Sequence, residues 1–495
     1  MPKYNIKVKW GKESYQVEVN TDESPEIFKG QIFTLTGVLP ERQKVMLKGV
    51  TLKDDDWSNF KLRDNATVLL MGSKEEDVPK EPVEKTVFVE DMNESELATA
   101  LDLPAGLNNL GNTCYMNATV QCLKTVPELR DALQNFQEGV AVAGGVIPAQ
   151  SITAALRDLY ATMDKGHTVP PIVLLQVLHM AFPRFAEKNE HGGFAQQDAN
   201  EFWTELVRML QQKLPSKSNE GNDSQEKFKS IIDQFFGGTF DVELKCDEAP
   251  EEPVTKSKEQ FLQLSCFMST DVRYMHSGLK SKMQEQITKK SLTLDRDAVY
   301  TKTSKISRLP AYLTVQFVRF FYKEKGAINA KVLRDVKFPM EFDAYELCSP
   351  ELQEKLTPAR LKFKELEDAL VYENTKEKKK KEEPKDKVEK KYAPYWFEND
   401  LGSNNSGYYT LQAVLTHKGR SSSSGHYVGW IKIANGKWVK CDDDTVTPVT
   451  EEEILKLSGG GDWHCAYVLL YGPRLLEIKD VTDQTEPLSE PMATE

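Results

Sequence analysis

The sequence predicts an α+β chain made of a small N-terminal domain and a large second domain, joined by an acidic connector. Three observations predict it. Residues 3–72 alternate between strand-like and helix-like patterns over a span that fits one small domain. Residues 74–96 carry nine acids against three lysines, with Pro79 and Pro82 among them, which is the composition of a solvated linker. Beyond Leu103 the chain mixes apolar strands with amphipathic helices and is long enough for a sizeable core.

Taken in order, Asn5-Ile6-Lys7-Val8-Lys9-Trp10 and Tyr15-Gln16-Val17-Glu18-Val19 alternate about Gly11-Lys12 as a hairpin would. A helix should follow, with Ile27, Phe28, Ile32 and Leu35 on its buried face. Lys44–Gly49 and Thr67–Met71 read as later strands. The segment then runs on through Met71-Gly72-Ser73 without a Gly-Gly end. The expected division is residues 1–73, a connector at 74–102, a second domain at 103–476 and an acidic tail at 477–495. Two polar stretches, near 213–229 and 372–391, are expected to be disordered loops; the second contains the lysine run 376–381.

The bulk numbers exclude some functions. A net charge of -12 argues against general nucleic-acid binding, which needs a basic footprint. The start, Met1-Pro2-Lys3-Tyr4, has no apolar core, and no long apolar run follows, so neither signal peptide nor membrane span is expected. Seven scattered cysteines read as intracellular thiols. A cytosolic chain, with the nucleus as a second compartment, monomeric when free, is the expectation.

Chemistry concentrates at two places. Gly106-Leu107-Asn108-Asn109-Leu110-Gly111-Asn112-Thr113-Cys114 runs into a helix-like segment, Tyr115–Leu123. A cysteine at a helix N-terminus meets unpaired N–H donors and the positive end of the dipole, which favours the nucleophilic thiolate. Far downstream, Gly425-His426-Tyr427-Val428 opens a strand that Asp442-Asp443-Asp444 follows. Cysteine, histidine and carboxylate distant in sequence are the parts of a papain-type site. Asn435-Gly436 is a two-residue hairpin signal. Taken literally, it pairs Asp442 with Gly429, about 10 Å along the strand from His426. A bulge or longer loop must shift that register, or Asp443 serves instead. His417 is the competing histidine and reads as structural. Asp198 opens an amphipathic helix carrying Phe202, Leu206 and Leu210, and could simply cap it.

These boxes resemble the ubiquitin-specific proteases, whose first signature is roughly G-L-x-N-x-G-N-T-C-Y-x-N and whose second is G-H-Y. Gln197-Asp198-Ala199-Asn200-Glu201-Phe202, the strand-like Leu309–Leu313 with Arg319-Phe320, and Ala466–Tyr471 fit further family stretches. The N-terminal residues resemble ubiquitin. The resemblance implies a ubiquitin-like β-grasp domain and a papain-like catalytic domain of thumb, palm and fingers. It implies a cysteine-type deubiquitinase that cleaves after ubiquitin's C-terminal glycine, without cofactor. Its site would be Cys114, His426, Asp442 and the oxyanion donor Asn109; Asn112 is better placed as a helix cap or loop brace. Asp198, Gly425 and Tyr427 would meet the substrate tail. The implied partners are ubiquitin, ubiquitinated proteins and the proteasome regulatory particle, the last reached through the N-terminal domain. The rival reading is a ubiquitin-binding adaptor that regulates the proteasome sterically with little catalysis.

Two features depart from the family. Many members hold a zinc on two C-x-x-C pairs in the fingers. This chain has no such pair, and Cys246 and Cys266 stand alone, so no metal is expected and strand pairing with apolar packing must hold the fingers. Lys418-Gly419-Arg420-Ser421-Ser422-Ser423-Ser424 directly precedes Gly425. It is expected to be a mobile loop, able to cover the tail groove and open to phosphorylation.

Overall fold

The computed structural model describes residues 3–53, 56–74, 103–141, 147–166, 168–217, 228–269, 271–291, 293–323, 328–377, 391–421, 424–433, 436–461 and 463–478. Nearly all of the expected connector, the tail from 479 and the middles of both polar stretches lie outside them. Two compact units result.

The first unit contains β1 (Lys3–Trp10), β2 (Glu13–Asn20), α1 (Pro25–Thr36), β3 (Lys44–Leu47), β4 (Val50–Thr51) and β5 (Thr67–Met71). Its sheet order is β2-β1-β5-β3-β4, with β1 and β5 parallel at the centre, a β-grasp. Ser24 caps α1 by accepting from the Glu26 N–H, Pro25 starts the helix, and Gly37 ends it with φ +73°. The buried face differs from the expected one. Phe28 and Ile32 are inside, but Ile27 and Leu35 are 49% and 44% exposed; Pro25, Lys29 and Thr36 complete the face instead. At about 100° per residue, Ile27 points away from the stripe through Ile32 and Leu35 falls at its edge.

In the second unit, β6 (Gly106–Leu107) leads to α2 (Cys114–Leu123), α3 (Pro127–Gln134), α4 (Pro148–Met163), β7 (Thr168–Val169), α5 (Ile172–Ala181), α6 (Ala199–Lys213) and α7 (Ile231–Phe235). Tyr115 joins α2 to this helical layer, packing on Phe185 and Phe202 at 6.0 and 5.7 Å between centroids. Next come β8 (Gly238–Cys246), β9 (Thr255–Phe261), β10 (Leu264–Phe267), α8 (Met275–Lys282), β11 (Gln284–Lys290), β12 (Asp297–Arg308), β13 (Leu313–Val318), β14 (Phe320–Lys323), β15 (Ile328–Lys331) and β16 (Glu341–Asp343). Leu309–Tyr312, expected to be strand, forms the corner between β12 and β13, where Pro310 has no N–H for a ladder. A long α9 (Pro350–Glu377) occupies the first residues of the second expected loop, which begins later than residue 372. The chain closes with β17 (Lys391–Tyr392), β18 (Tyr408–Ser421), β19 (Ser424–Lys432), β20 (Trp438–Asp442), β21 (Thr445–Val449), α10 (Glu451–Leu455), β22 (Cys465–Pro473) and β23 (Glu477–Ile478).

Two sheets organise this unit. The larger runs β10-β13-β22-β18-β19-β20-β21, with β16 added to β18; the smaller runs β11-β12-β8-β9. Helix α2 packs on β18, β19 and β20 of the larger sheet. That contact brings the cysteine-bearing and histidine-bearing segments together.

Candidate active site

Cys114 is the first residue of α2 and is 2% exposed. The asparagines before it fold the loop. Asn109 Oδ1 accepts from the backbone N–H groups of Gly111 and Thr113 at 3.0 and 3.2 Å. Asn112 takes the left-handed conformation, φ +57°, and donates its amide to Phe194 O at 2.8 Å, so it braces the loop. The Thr113 carbonyl accepts from the N–H groups of Met116 and Asn117, leaving the first N–H groups of the helix without intrahelical partners.

His426 lies in β19, and its approach requires glycine at 425. Gly425 has φ +113°, and a Cβ there would stand 2.1 Å from Lys418 O. The turn after β19 decides which carboxylate reaches the ring. The hairpin closes through Ile433 N–H to Lys437 O, not in the register expected from Asn435-Gly436, and Gly436 has φ +74°. Gly429 therefore pairs with Cys441, one residue off the expected register. A one-residue shift flips a strand's faces. It puts Asp442 on the face of His426, diagonal to it across the ladder, and His426 Nε2 meets Asp442 Oδ1 at 2.6 Å.

Electrostatics follow from this geometry. The Asp442 contact, and after it the Cys114 thiol, push His426 up to about 10 against the opposing effect of burial. The ring is thus an imidazolium at neutral pH, held between Asp442 and Cys114. The His426 bond also holds Asp442 well below the usual carboxylate range, despite partial burial.

Asp443 does different work. It forms the two-residue turn from β20 to β21, since Asp442 pairs with Thr445, and its φ of +54° turns its side chain out of the ladder. There its two oxygens accept from the amides of Asn109 and Asn117, each at 2.8 Å, and its carbonyl accepts from Leu107 N–H at 2.8 Å. Gly106 permits this approach, because a Cβ would fall 2.3 Å from Asp444 O. Asp443 therefore clasps the cysteine loop to the histidine hairpin.

Other predicted residues lie close by. His417 is buried, with Nε2 on Ser424 O at 3.1 Å. Burial first, then Lys331, pushes it down to about 3, so it is a neutral structural histidine. Asp198 caps α6 through the N–H groups of Asn200 and Glu201 and accepts from the Tyr467 hydroxyl at 2.8–2.9 Å; its burial raises its pKa. Tyr427 is 1% exposed, and its ring packs on His417 and Tyr467. Ser421 and Ser424 close the β18–β19 hairpin as a pair; Ser422 and Ser423 lie outside the described residues. The β14–β15 hairpin was not expected from the sequence. Lys331 Nζ donates to His417 O at 2.6 Å, and Phe320 sits edge-on to His417 and Tyr467.

Among the described residues, the group with metal-ligand spacing is His426, Asp442 and Asp443, whose atoms already bond one another and the cysteine loop. Cys246 and Cys266 fall in separate apolar clusters, and all seven cysteines are buried with free thiols. At the tip of the smaller sheet, Cys246, Ala249, Ala298 and Tyr300 form a small apolar cluster. Glu252 joins Ser291 Oγ at 2.6 Å and the Tyr300 hydroxyl at 2.7 Å beside it.

Comparison with known proteins agrees with this arrangement. The ubiquitin carboxyl-terminal hydrolase family matches residues 105–471, and the ubiquitin family matches residues 5–75. "Ubiquitin carboxyl-terminal hydrolase 7" of Arabidopsis thaliana is 40% identical over 96% of this chain and 99% of its own. "Ubiquitin carboxyl-terminal hydrolase 14" of Caenorhabditis elegans is 41% identical over 95% and 94%. The counterpart numbered 6 in Schizosaccharomyces pombe is 39% identical over 94% and 98%. The SAGA DUB module bound to ubiquitin aldehyde shares the fold, with a TM-score of 0.51 and 22% identity over 75% of this chain and 69% of that one. The chain belongs to the ubiquitin carboxyl-terminal hydrolases, as a cysteine-type deubiquitinase with an N-terminal ubiquitin-like domain.

Proposed function

We propose that Cys114 is the nucleophile, His426 its proton partner and Asp442 the residue that orients His426. Cys114 attacks the carbonyl of ubiquitin's C-terminal glycine. His426 gives its proton to the leaving amine, then takes one from the water that opens the thioester. The observation that carries this reading is the packing of the Cys114-bearing helix start on the strand of His426, whose ring meets Asp442 Oδ1 at 2.6 Å; the raised pKa of His426 follows from that contact and from Cys114. An imidazolium beside the sulfur favours the thiolate.

Asn109 is the oxyanion donor in this reading, together with the Cys114 backbone N–H. A carboxamide carries two hydrogens; Asn109 gives one to Asp443 and keeps one for the substrate. Asp198, Gly425 and Tyr427 meet the tail. The substrates are ubiquitin conjugates at the proteasome, in the cytosol and nucleus, and the N-terminal domain docks on the regulatory particle. Support for the docking role is the β-grasp fold joined to a hydrolase in one chain. The hairpin closed by Ser421 and Ser424 directly before Gly425 is the segment that would cover the tail groove in the free form. No helix among the described residues is long and apolar enough to cross a membrane.

The test is hydrolysis of a fluorogenic amide of the ubiquitin C-terminus by wild type and Cys114→Ala, with and without proteasome whose own deubiquitinases are blocked. Cys114-dependent turnover that rises with proteasome is expected. Bound ubiquitin with no Cys114-dependent turnover in either condition would leave the adaptor role.

A further inference from the structure

We propose that Lys440 is a positioning residue for the reaction: it holds the second oxygen of Asp442 and so fixes the carboxylate edge that His426 meets. The proposal rests on the roles given above to Asp442 and His426.

Lys440 and Asp442 stand two residues apart in β20 and so share a face. Asp442 uses Oδ1 on His426 at 2.6 Å and Oδ2 on Lys440 Nζ, also at 2.6 Å. A carboxylate with one partner can rotate about its terminal torsion, which is broad and soft. Charged partners on both oxygens remove that freedom.

The lysine itself is seated. It pairs with Trp430 across the β19–β20 ladder, and its ammonium lies 5.8 Å from that ring's centroid, within reach of a cation–π attraction. The Trp430 indole N–H donates to Thr416 Oγ1 at 2.9 Å, and Thr416 Oγ1 in turn lies 3.3 Å from His464 Nδ1. Trp430 is 6% exposed, and the Lys440 and Asp442 side chains are 28% and 29% exposed. An exposed ion pair contributes little because both side chains must be ordered to form it. Here the ladder and the indole have already ordered the lysine.

The other titratable groups facing this point come from four elements. Cys114 starts α2, Asp443 follows β20, His417 and Lys418 end β18, and His464 precedes β22. His464 is pushed down to about 4, by burial first and then by Lys440, so it stays neutral. Besides His426, Lys440 is the cation bonded to Asp442 among the described residues. Its removal frees Asp442 Oδ2, so the carboxylate can turn and His426 loses the fixed edge that holds its ring toward Cys114.

The test uses the full chain and needs no ubiquitin. The rate of Cys114 alkylation by iodoacetamide, read by mass spectrometry on the Cys114 peptide, is followed against pH. Wild type, Lys440→Met, Lys440→Gln, Lys440→Arg and His426→Ala are compared, with melting temperature and kcat and KM on the fluorogenic substrate measured alongside. The Met and Gln variants should raise the alkylation midpoint by about half a pH unit or more and lower kcat about tenfold, with KM nearly unchanged. Arg should restore both. Wild-type midpoints and kcat in Met and Gln would overturn the proposal, as would an equal loss in Arg that follows melting temperature alone. An unmoved midpoint in His426→Ala would sink the underlying site assignment itself, whatever Lys440 does.

Discussion

At the junction of α2 and β20, Asp443 takes hydrogen bonds from Asn109, Asn117 and Leu107, tying together segments more than 300 residues apart. At the tip of the smaller sheet, Glu252 ties Ser291 to Tyr300 and so joins the loop after β8 to β12. Both regions fasten distant backbone with a carboxylate and neutral donors. They differ in what lies beside the clasp. Next to Asp443 stands a second carboxylate, Asp442, whose histidine partner is half-buried and pushed up to about 10. Beside Glu252 lies a small apolar cluster around Cys246, with Lys289 as a nearby cation. The first region sets a shifted charge pair beside Cys114; the second is a neutral-donor staple beside apolar side chains. A perturbed charge in a cleft marks chemistry, whereas a satisfied carboxylate on a loop marks support.

The largest effects should separate the two regions. Cys114→Ala should reduce turnover by at least about 1,000-fold and leave ubiquitin binding in place. Residual turnover above that level would break the contrast at its centre. Asp442→Asn should cost about 100-fold or more in kcat, because the ring loses the partner that holds its tautomer. It should also move the alkaline limb of the pH–rate profile. His426 now keeps its proton, as a group with a raised pKa does, until the pH approaches about 10; without the Asp442 charge the limb should fall toward the ordinary imidazole range. Asp443→Asn places an amide donor against the amides of Asn109 and Asn117. It should lower kcat and cost about 1–2 kcal/mol of stability while leaving the alkaline limb in place. A limb that shifts in Asp443→Asn and stays put in Asp442→Asn would exchange their roles.

The same contrast explains what could be read from the sequence. Cys114 and His426 were legible because a local pattern carries them: a helix start after an asparagine-rich loop, and a glycine before a strand. The strands Lys3–Asn20 and Thr67–Met71 were legible from alternation alone. Asp442 was named through the resemblance alone, because the two-residue hairpin read from Asn435-Gly436 puts it on the other face, and the observed pairing of Gly429 with Cys441 shifts that register by one residue. The roles of Asn109 and Asn117 toward Asp443 depend on tertiary contact that no spacing encodes. Glu252 and Ser291 lie in loops, and only the fold brings them to Tyr300 inside β12, so the staple was invisible. The helix stripe failed for another reason: Ile27 is apolar, but its phase points it away from Ile32.

Asp198 lies between the two regions in kind, since it caps α6 and also meets Tyr467. Asp198→Ala should cost about 1 kcal/mol, the usual worth of an N-cap, visible as a lower denaturation midpoint. Tyr467→Phe, which keeps the cap, should cost less. If Asp198→Ala instead raises KM at unchanged stability, the residue belongs to the tail-binding surface and sides with the palm.

The smallest effect should come from the fingertip, and its pH dependence is what makes it informative. Ser291 first, then Tyr300, holds Glu252 below the ordinary carboxylate range. A depressed carboxylate stabilises the fold above the unfolded group's pKa, about 4.3, and that contribution disappears as pH falls through the folded value. Glu252→Gln should therefore melt slightly lower than wild type at neutral pH, and the gap should close on acidification. Turnover of the fluorogenic substrate should not change, and neither should the wild-type melting temperature in the presence of a zinc chelator. A chelator-sensitive melting temperature would mean that a metal holds the tip. A loss of turnover in Glu252→Gln would mean that the tip and the palm are coupled, so the two carboxylate clasps would not be independent after all.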